Sequence, residues 1–209
     1  VSATEGATPI RKTTPADREA VVRVLARAFE VEPFARYALR KDEHRERAFK
    51  DIFDIAFCQL TQPHDENWIA GDGDGAALWT PPGKWQVARA LTRVHRLIGC
   101  AGVTRIPHIL GVLNRVDQGH PTKPPHFYLF ALGVDPSKQG RGIGSALLKA
   151  SFERIDAANA PAYLETSLEA NRRLYERHGF RVQKELQLGG GAPVVWHMWR
   201  EARGVTPAG

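Results

Sequence analysis

The chain has 209 residues, 43% of them hydrophobic and 25% charged, and a formal charge of +6. That length suits one large domain or two small ones, and the balance is that of a globular protein. No apolar run is long enough to span a bilayer, and the first ten residues lack the charged-then-apolar order of a signal peptide. The sequence therefore reads as cytoplasmic, with no membrane partner. Lys and Arg are scattered rather than clustered, which argues against nucleic acid and leaves a small phosphate-bearing ligand as the natural anionic partner. Cys58 and Cys100 have no neighbours at metal-ligand spacing, so both read as ordinary thiols and no metal is expected.

In chain order, "PIRKTT" reads as a short first strand. "TPADREAVVRVLARAF" reads as a helix, with Thr14 as its cap, Pro15 in the first turn and Val21, Val22, Leu25 and Phe29 on one face. "EHRERAFKDIFDIAFCQL" repeats the pattern through Phe49, Ile52, Phe53, Ala56 and Leu60. "NWIAGDGDGAALWTPP" has the form of two strands around a Gly/Asp turn. Residues 84–117 hold two helical patterns, "KWQVARALTRVHRLIG" and "PHILGVLNRV", and a proline-rich loop follows. Then come a strand at 127–134, a helix at 143–157, the strand "AYLETS", the helix "EANRRLYERH", and two strands around "GGGAP". This order predicts a single α/β domain over 1–209, with a mixed, mostly antiparallel twisted sheet flanked by helices.

The most informative stretch is "FYLFALGVDPSKQGRGIGSALLKAS", where a strand passes into a helix through Gly140, Gly142 and Gly144. Glycines there let backbone N–H groups converge, and the helix start adds positive potential, so the product is an anion site. No Lys-Ser/Thr pair follows, which excludes a P-loop, and Ser145 stands where a dinucleotide fingerprint needs its last glycine. A tight turn without a ligand is the alternative at this point.

The run Gln139-Gly140-Arg141-Gly142-Ile143-Gly144 has the form Gln/Arg-x-x-Gly-x-Gly/Ala, follows "LGVDP", and precedes "PAYLETS" and "NRRLYERHGF". Together these resemble the GNAT superfamily of acetyl-CoA-dependent N-acetyltransferases, and in wording its puromycin N-acetyltransferase-like branch. The resemblance is specific over about residues 126–200 and follows element order alone over 8–82. It implies a GNAT-type sheet with a central strand–glycine loop–helix motif for acetyl-CoA. The backbone from Gln139 through Gly140, Arg141, Gly142, Ile143 and Gly144 to Ser145 would hold the pyrophosphate. The Arg141 side chain is either a phosphate contact or a solvated group. Main-chain groups of Leu132 and Val134 would pair with the pantetheine arm, and the Leu132 N–H would polarise the thioester carbonyl. Asn171 would touch the cofactor arm, or simply start a helix.

Tyr175, four residues after Asn171, would protonate the departing thiolate, or else serve as a core aromatic. Some family members carry a glutamate base on the strand before the glycine loop. Tyr128 occupies that place here, so Glu165 is the expected substitute, with an ion pair to a neighbouring arginine as the alternative. His126 reads as a strand-edge residue and His178 as structural. The resemblance implies transfer to the amine of a small molecule by direct attack, an antibiotic or toxic metabolite being the example. A protein or peptide N-acetyltransferase and a catalytically silent acyl-CoA sensor are the rivals. Residues 83–120 diverge from the family, and their apolar residues would either pack against the sheet or roof the acceptor site. The sequence leaves the oligomeric state open, a homodimer included.

Overall fold

The computed structural model describes residues 8–85 and 106–203. Seven strands form one sheet: β1 (Ile10–Lys12), β2 (Trp68–Ala70), β3 (Gly75–Thr80), β4 (Phe127–Val134), β5 (Ala162–Thr166), β6 (Arg181–Gln187) and β7 (Val194–Arg200). Their spatial order is β1-β2-β3-β4-β5-β7-β6, and every neighbouring pair is antiparallel except β4–β5. This is the mixed, mostly antiparallel sheet that the sequence predicts.

The alternation of a strand sends successive side chains to opposite faces, so each half of the sheet builds two cores. On one face, Ile69, Ala76, Leu78 and Ala131 pack against helices α1 (Arg18–Phe29) and α3 (Arg45–Ile55) through Val21, Leu25, Phe49 and Phe53. Gly133 permits this contact: a Cβ there would stand 2.8 Å from both Leu25 Cδ2 and Ala28 Cβ. On the other face, Ala77, Trp79, Leu129, Leu164 and Met198 pack against α5 (Ile143–Ala157) through Leu147, Leu148, Phe152 and Ile155. Leu147 and Leu148 are fully buried, each contributing about 1.5–3 kcal/mol by area. Arg200, 2% exposed, closes this core with a bidentate pair to Asp156 at 2.6 and 2.8 Å.

Three local differences from the sequence expectation have physical causes. The first helix starts as a 3₁₀ turn over Pro15–Asp17, where the Asp17 carboxylate accepts from Thr14 N at 2.7 Å and from the Thr14 hydroxyl at 2.9 Å. The second helix does not run regularly to Leu60. It widens into a π turn over Ala56–Thr61, where the Thr61 hydroxyl donates to the Ala56 carbonyl at 3.1 Å. A six-residue helix, α2 (Pro33–Ala38), is too short to leave a periodic pattern.

Of the two helical patterns at 84–117, the second is α4 (Ile106–Asp117), while residues 86–105 of the first lie outside the described residues. α2 and α4 together cover β6 and β7, with Ala38 and Val112 against Leu188 and Val195. Arg115 fixes α4 there by donating to the Leu188 carbonyl at 2.8 Å. The remaining helix, α6 (Glu169–Arg177), follows β5.

Candidate active site

β4 pairs with β3 along its length and with β5 over three positions only: Phe127 with Ala162, Tyr128 with Tyr163, and Leu129 with Leu164. Past Leu129 the two parallel strands part. The cause lies one residue further on. Leu78 faces Ala131 and Trp79 faces Leu129, so Phe130 is an extra residue, a β-bulge that bends β4 and steepens its twist. Leu132 and Val134, singled out by the sequence, lie on this parted segment and are half-buried.

β4 hands over to α5 through the glycine loop. Asp135 receives the Ser137 N–H at 2.9 Å and pairs with Arg27 at 2.8 Å, so the approach to the loop is tied to α1. Gly140 and Gly142 have φ of +78° and +80°, and a Cβ on either would meet nothing within 4 Å. Glycine is therefore required by backbone conformation, and the space in front of the loop is open. The first internal bond of the helix runs from Ala146 N to the Gly142 carbonyl at 3.0 Å, so the Ile143, Gly144 and Ser145 N–H groups ahead of it have no acceptor in α5. A Cβ on Gly144 would stand 3.5 Å from Leu174 Cδ2 of α6, and His178 Nε2 faces the Ser145 hydroxyl at 3.0 Å. The arrangement is a cradle of unpaired donors at the start of a 15-residue helix, which fits a pyrophosphate. Arg141 is exposed at its rim.

α6 brings Asn171 and Tyr175 onto one face, one turn apart. Tyr175 is 5% exposed and packs with Phe180 at a centroid distance of 5.8 Å. Burial, then the negative charge of Glu32, hold its phenol well above the ordinary value. Glu32 was not singled out in the sequence. It caps α2, accepting the Ala35 N–H at 2.7 Å, and also accepts the hydroxyl of Ser167. Ser167 in turn accepts the Phe34 N–H at 3.0 Å. Burial raises the Glu32 carboxyl above its usual range, and these hydrogen bonds offset part of the rise.

Glu165 lies two residues before Ser167. Its Oε1 accepts the Tyr163 hydroxyl at 2.8 Å and faces His120 Nδ1 at 3.6 Å. Tyr163 also meets His197 Nδ1, at 2.5 Å, and His120 meets His126 through their Nε2 atoms at 3.2 Å. Trp85 stacks near His120 and meets Tyr128 edge-on. The Glu165 charge, after burial, pushes both the Tyr128 and Tyr163 phenols upward. Among the described residues no Lys or Arg pairs with Glu165, so the arginine alternative finds no partner there. The described residues also hold no group of three His, Cys, Asp or Glu side chains placed to bind a metal ion.

The model of the acetyltransferase (GNAT) family matches residues 47–180, well over half of the chain. The chain belongs to the GNAT family. An uncharacterised N-acetyltransferase of Schizosaccharomyces pombe is 28% identical over 155 residues, which cover 68% of this chain and 63% of that protein. The chain thus spans under two thirds of that relative's length. The histone acetyltransferase HPA2 and related acetyltransferase of Corynebacterium glutamicum superposes with a TM-score of 0.73 at 24% identity, covering 96% of this chain and 99% of that one. A Drosophila melanogaster polyamine N-acetyltransferase, which forms N-acetylagmatine, gives 0.66 at 17% identity over 92% of this chain and 99% of that one. At those identities the two structures show the shared GNAT fold.

Within that fold, the cofactor-side residues of the sequence reading fall on one continuous path from the parted β4 through the loop to α6. Tyr175 lies beside a carboxylate that the sequence did not nominate. Glu165 lies in a separate aromatic and histidine cluster on the same strand as the approach to Ser167. One sequence signal did exist for Glu32: an acidic residue directly before a proline is a helix-start pattern. It points to the helix and carries no information about the neighbours brought in by β5 and α6.

Proposed function

We propose that this GNAT protein is an acetyl-CoA-dependent N-acetyltransferase acting on a small-molecule amine. The observation that carries the reading is the parting of β4 from β5 directly ahead of an open, glycine-built cradle of unpaired N–H groups. Acetyl-CoA, when bound, supplies a thioester whose acyl carbon accepts the amine. The residues from Gln139 to Ser145 hold its pyrophosphate, and the free edge of β4 at Leu132 and Val134 pairs with its extended arm. The Leu132 N–H polarises the carbonyl.

An alkylammonium loses about 4.6 kcal/mol of advantage before it can attack at neutral pH, so a base is needed. Glu32 suits this role: burial raises its carboxyl toward neutrality, and its charge is felt by Tyr175. Glu32 takes the amine proton. The amine nitrogen bonds to the acyl carbon as the carbonyl opens, the carbon–sulfur bond then breaks, and Tyr175, still protonated, donates to the departing sulfur, while the second proton of the nitrogen passes through solvent to restore the phenol. The Drosophila neighbour acts on a polyamine, which supports a small acceptor.

The test is release of free thiol from acetyl-CoA with a panel of small amines, lysine-containing peptides and basic proteins. A higher kcat/KM with small amines is expected. Preference for peptides or proteins would replace this reading with a protein acetyltransferase. Tight acetyl-CoA binding without thiol release across the panel would replace it with a sensor.

A further inference from the structure

Resting on that reading, we propose that Glu165 is an acceptor-binding residue and that the acceptor carries two cationic nitrogens, as an α,ω-diamine or an amino-guanidine does. Glu32 receives the nitrogen to be acetylated, and Glu165 holds the other.

Tautomers in the cluster follow from one fixed acceptor. His126 Nδ1 lies 2.8 Å from the Pro124 carbonyl, which only accepts, so His126 carries its proton there and presents a bare Nε2. His120 must then donate from its own Nε2 across the 3.2 Å contact. In its neutral form this leaves His120 Nδ1 without a proton, pointing at Glu165 Oε1 across 3.6 Å. In that form two acceptors face each other at a distance too long for a hydrogen bond. An ammonium or guanidinium nitrogen seated beside that gap donates to both at once.

On the far side of Glu165 the same logic holds. Tyr163 gives its single proton to Glu165, so His197 donates from Nδ1 to the Tyr163 oxygen. His197 Nε2 is then a bare acceptor, and it has no partner although the residue is only 2% exposed. No Lys or Arg among the described residues pairs with Glu165 or Glu32, yet buried carboxylates are normally matched by a cation. Asp117, at the end of α4, adds negative charge felt by both tyrosines. The Tyr163 and Tyr128 hydroxyls reach Glu165, and the Tyr128 ring packs against Trp85 and Tyr163, aromatic surroundings that favour a cation. Locally, then, a chain of net charge +6 offers a dication two anionic stations.

The spacing selects acceptor length. Ser167 stands two residues after Glu165, just past the end of β5, so their Cα atoms lie no more than about 7 Å apart. Ser167 holds the Glu32 carboxylate. Two nitrogens about 6–8 Å apart, separated by four or five extended carbons, match that span.

Two measurements test the proposal. Diamines of three to seven carbons and monoamines of matched length are compared by kcat/KM in wild type and Glu165→Gln. The same diamines are titrated calorimetrically into the CoA-saturated proteins, which needs no turnover. Wild type should prefer the four- or five-carbon diamine over its monoamine by tenfold or more. Glu165→Gln should erase that preference through a raised diamine KM. Glu165→Asp, which keeps the charge but withdraws it, should move the optimum to a diamine one carbon longer. Equal wild-type use of diamines and monoamines would overturn the proposal, as would a Glu165→Gln loss of kcat shared by all amines, which would make Glu165 the base. Diamine binding that depends on Glu165, without acetyl transfer, would support the recognition site and defeat the transferase reading. Transfer with no diamine preference would do the reverse.

Discussion

The proposed cofactor side and the proposed acceptor side of this site are built from different materials. The cofactor side is main chain: a bulged strand, two glycines at positive φ and the unpaired first turn of α5. The acceptor side is side chain: Glu32 from α2, Ser167 after β5, Tyr175 from α6, and a cluster drawn from β5, β7 and the loop after α4. Main-chain sites need a fixed local conformation, so their residues stand consecutively. Side-chain sites need only convergence in space, and here it spans sequence separations of more than 130 residues, as between Glu32 and Ser167.

The division predicts that the cofactor side fails through backbone change. Gly142→Glu places a carboxylate in the open space before the cradle, at φ +80°, where any side chain is strained. Acetyl-CoA affinity should fall by more than a hundredfold, since the new charge opposes the pyrophosphate where the N–H groups attract it. Calorimetric titration reads this directly. A circular dichroism spectrum like that of wild type would show that the loss is local, and unchanged affinity would remove the loop from the cofactor site.

That same division explains what the sequence discloses. The strand 127–134 and helix 143–157 are observed with the bounds expected, because an apolar run, a glycine loop and a periodic helix are all local signals. The hairpin of β2 and β3 and the closing β6–β7 pair were legible for the same reason. Glu32, Ser167, His120 and His197 were not singled out. Each is an ordinary residue in its own segment and gains a role only through partners on other elements. Tyr128 and Glu165 were noticed through the family pattern, but Tyr163 between Glu165 and His197 was not. Its phenol looks like any core aromatic until β7 is placed beside it.

On the acceptor side, chemistry should be separable from fold. Glu32→Gln removes the proposed base while keeping shape and most hydrogen bonds, and kcat/KM should drop by about a hundred- to a thousandfold. Its stability should move the other way with pH. Burial raises the folded Glu32 pKa above the unfolded one, so the folded chain binds the proton to higher pH. The stability from this position is complete below the ordinary carboxylate pKa and is lost as pH rises through the raised one. The variant cannot ionise there, so its melting temperature should gain on wild type between pH 4 and pH 8. A variant that loses stability at pH 8 more than at pH 4 would contradict the burial argument.

A smaller loss is expected at the acid. Tyr175→Phe keeps the ring that packs on Phe180, so acetyl-CoA affinity and melting temperature should stay near wild type. Turnover should fall by about tenfold to a hundredfold, the effect of losing one proton donor. Better-leaving thiols need that donor less, so an acyl donor with a more acidic thiol should recover part of the rate. Full wild-type turnover in the variant would leave Tyr175 a core aromatic.

The smallest effect tests whether the two acceptor-side carboxylates are as distinct as their surroundings. Ser167→Ala removes the hydroxyl that donates to Glu32 and accepts from Phe34 N. That donated bond favours the carboxylate form and lowers the Glu32 pKa against the pull of burial. Without it the pKa rises further, and the acidic limb of the kcat/KM profile, which follows ionisation of the base, should move to higher pH. Well above that limb the rate should fall only a fewfold, because Ala35 N still holds the carboxylate. If Glu165 were the base, Ser167→Ala would leave the acidic limb in place, since Glu165 meets Tyr163, Tyr128 and His120 rather than Ser167. A fixed limb in Ser167→Ala, together with a displaced one in Tyr163→Phe, would move the chemistry from Glu32 to the histidine cluster.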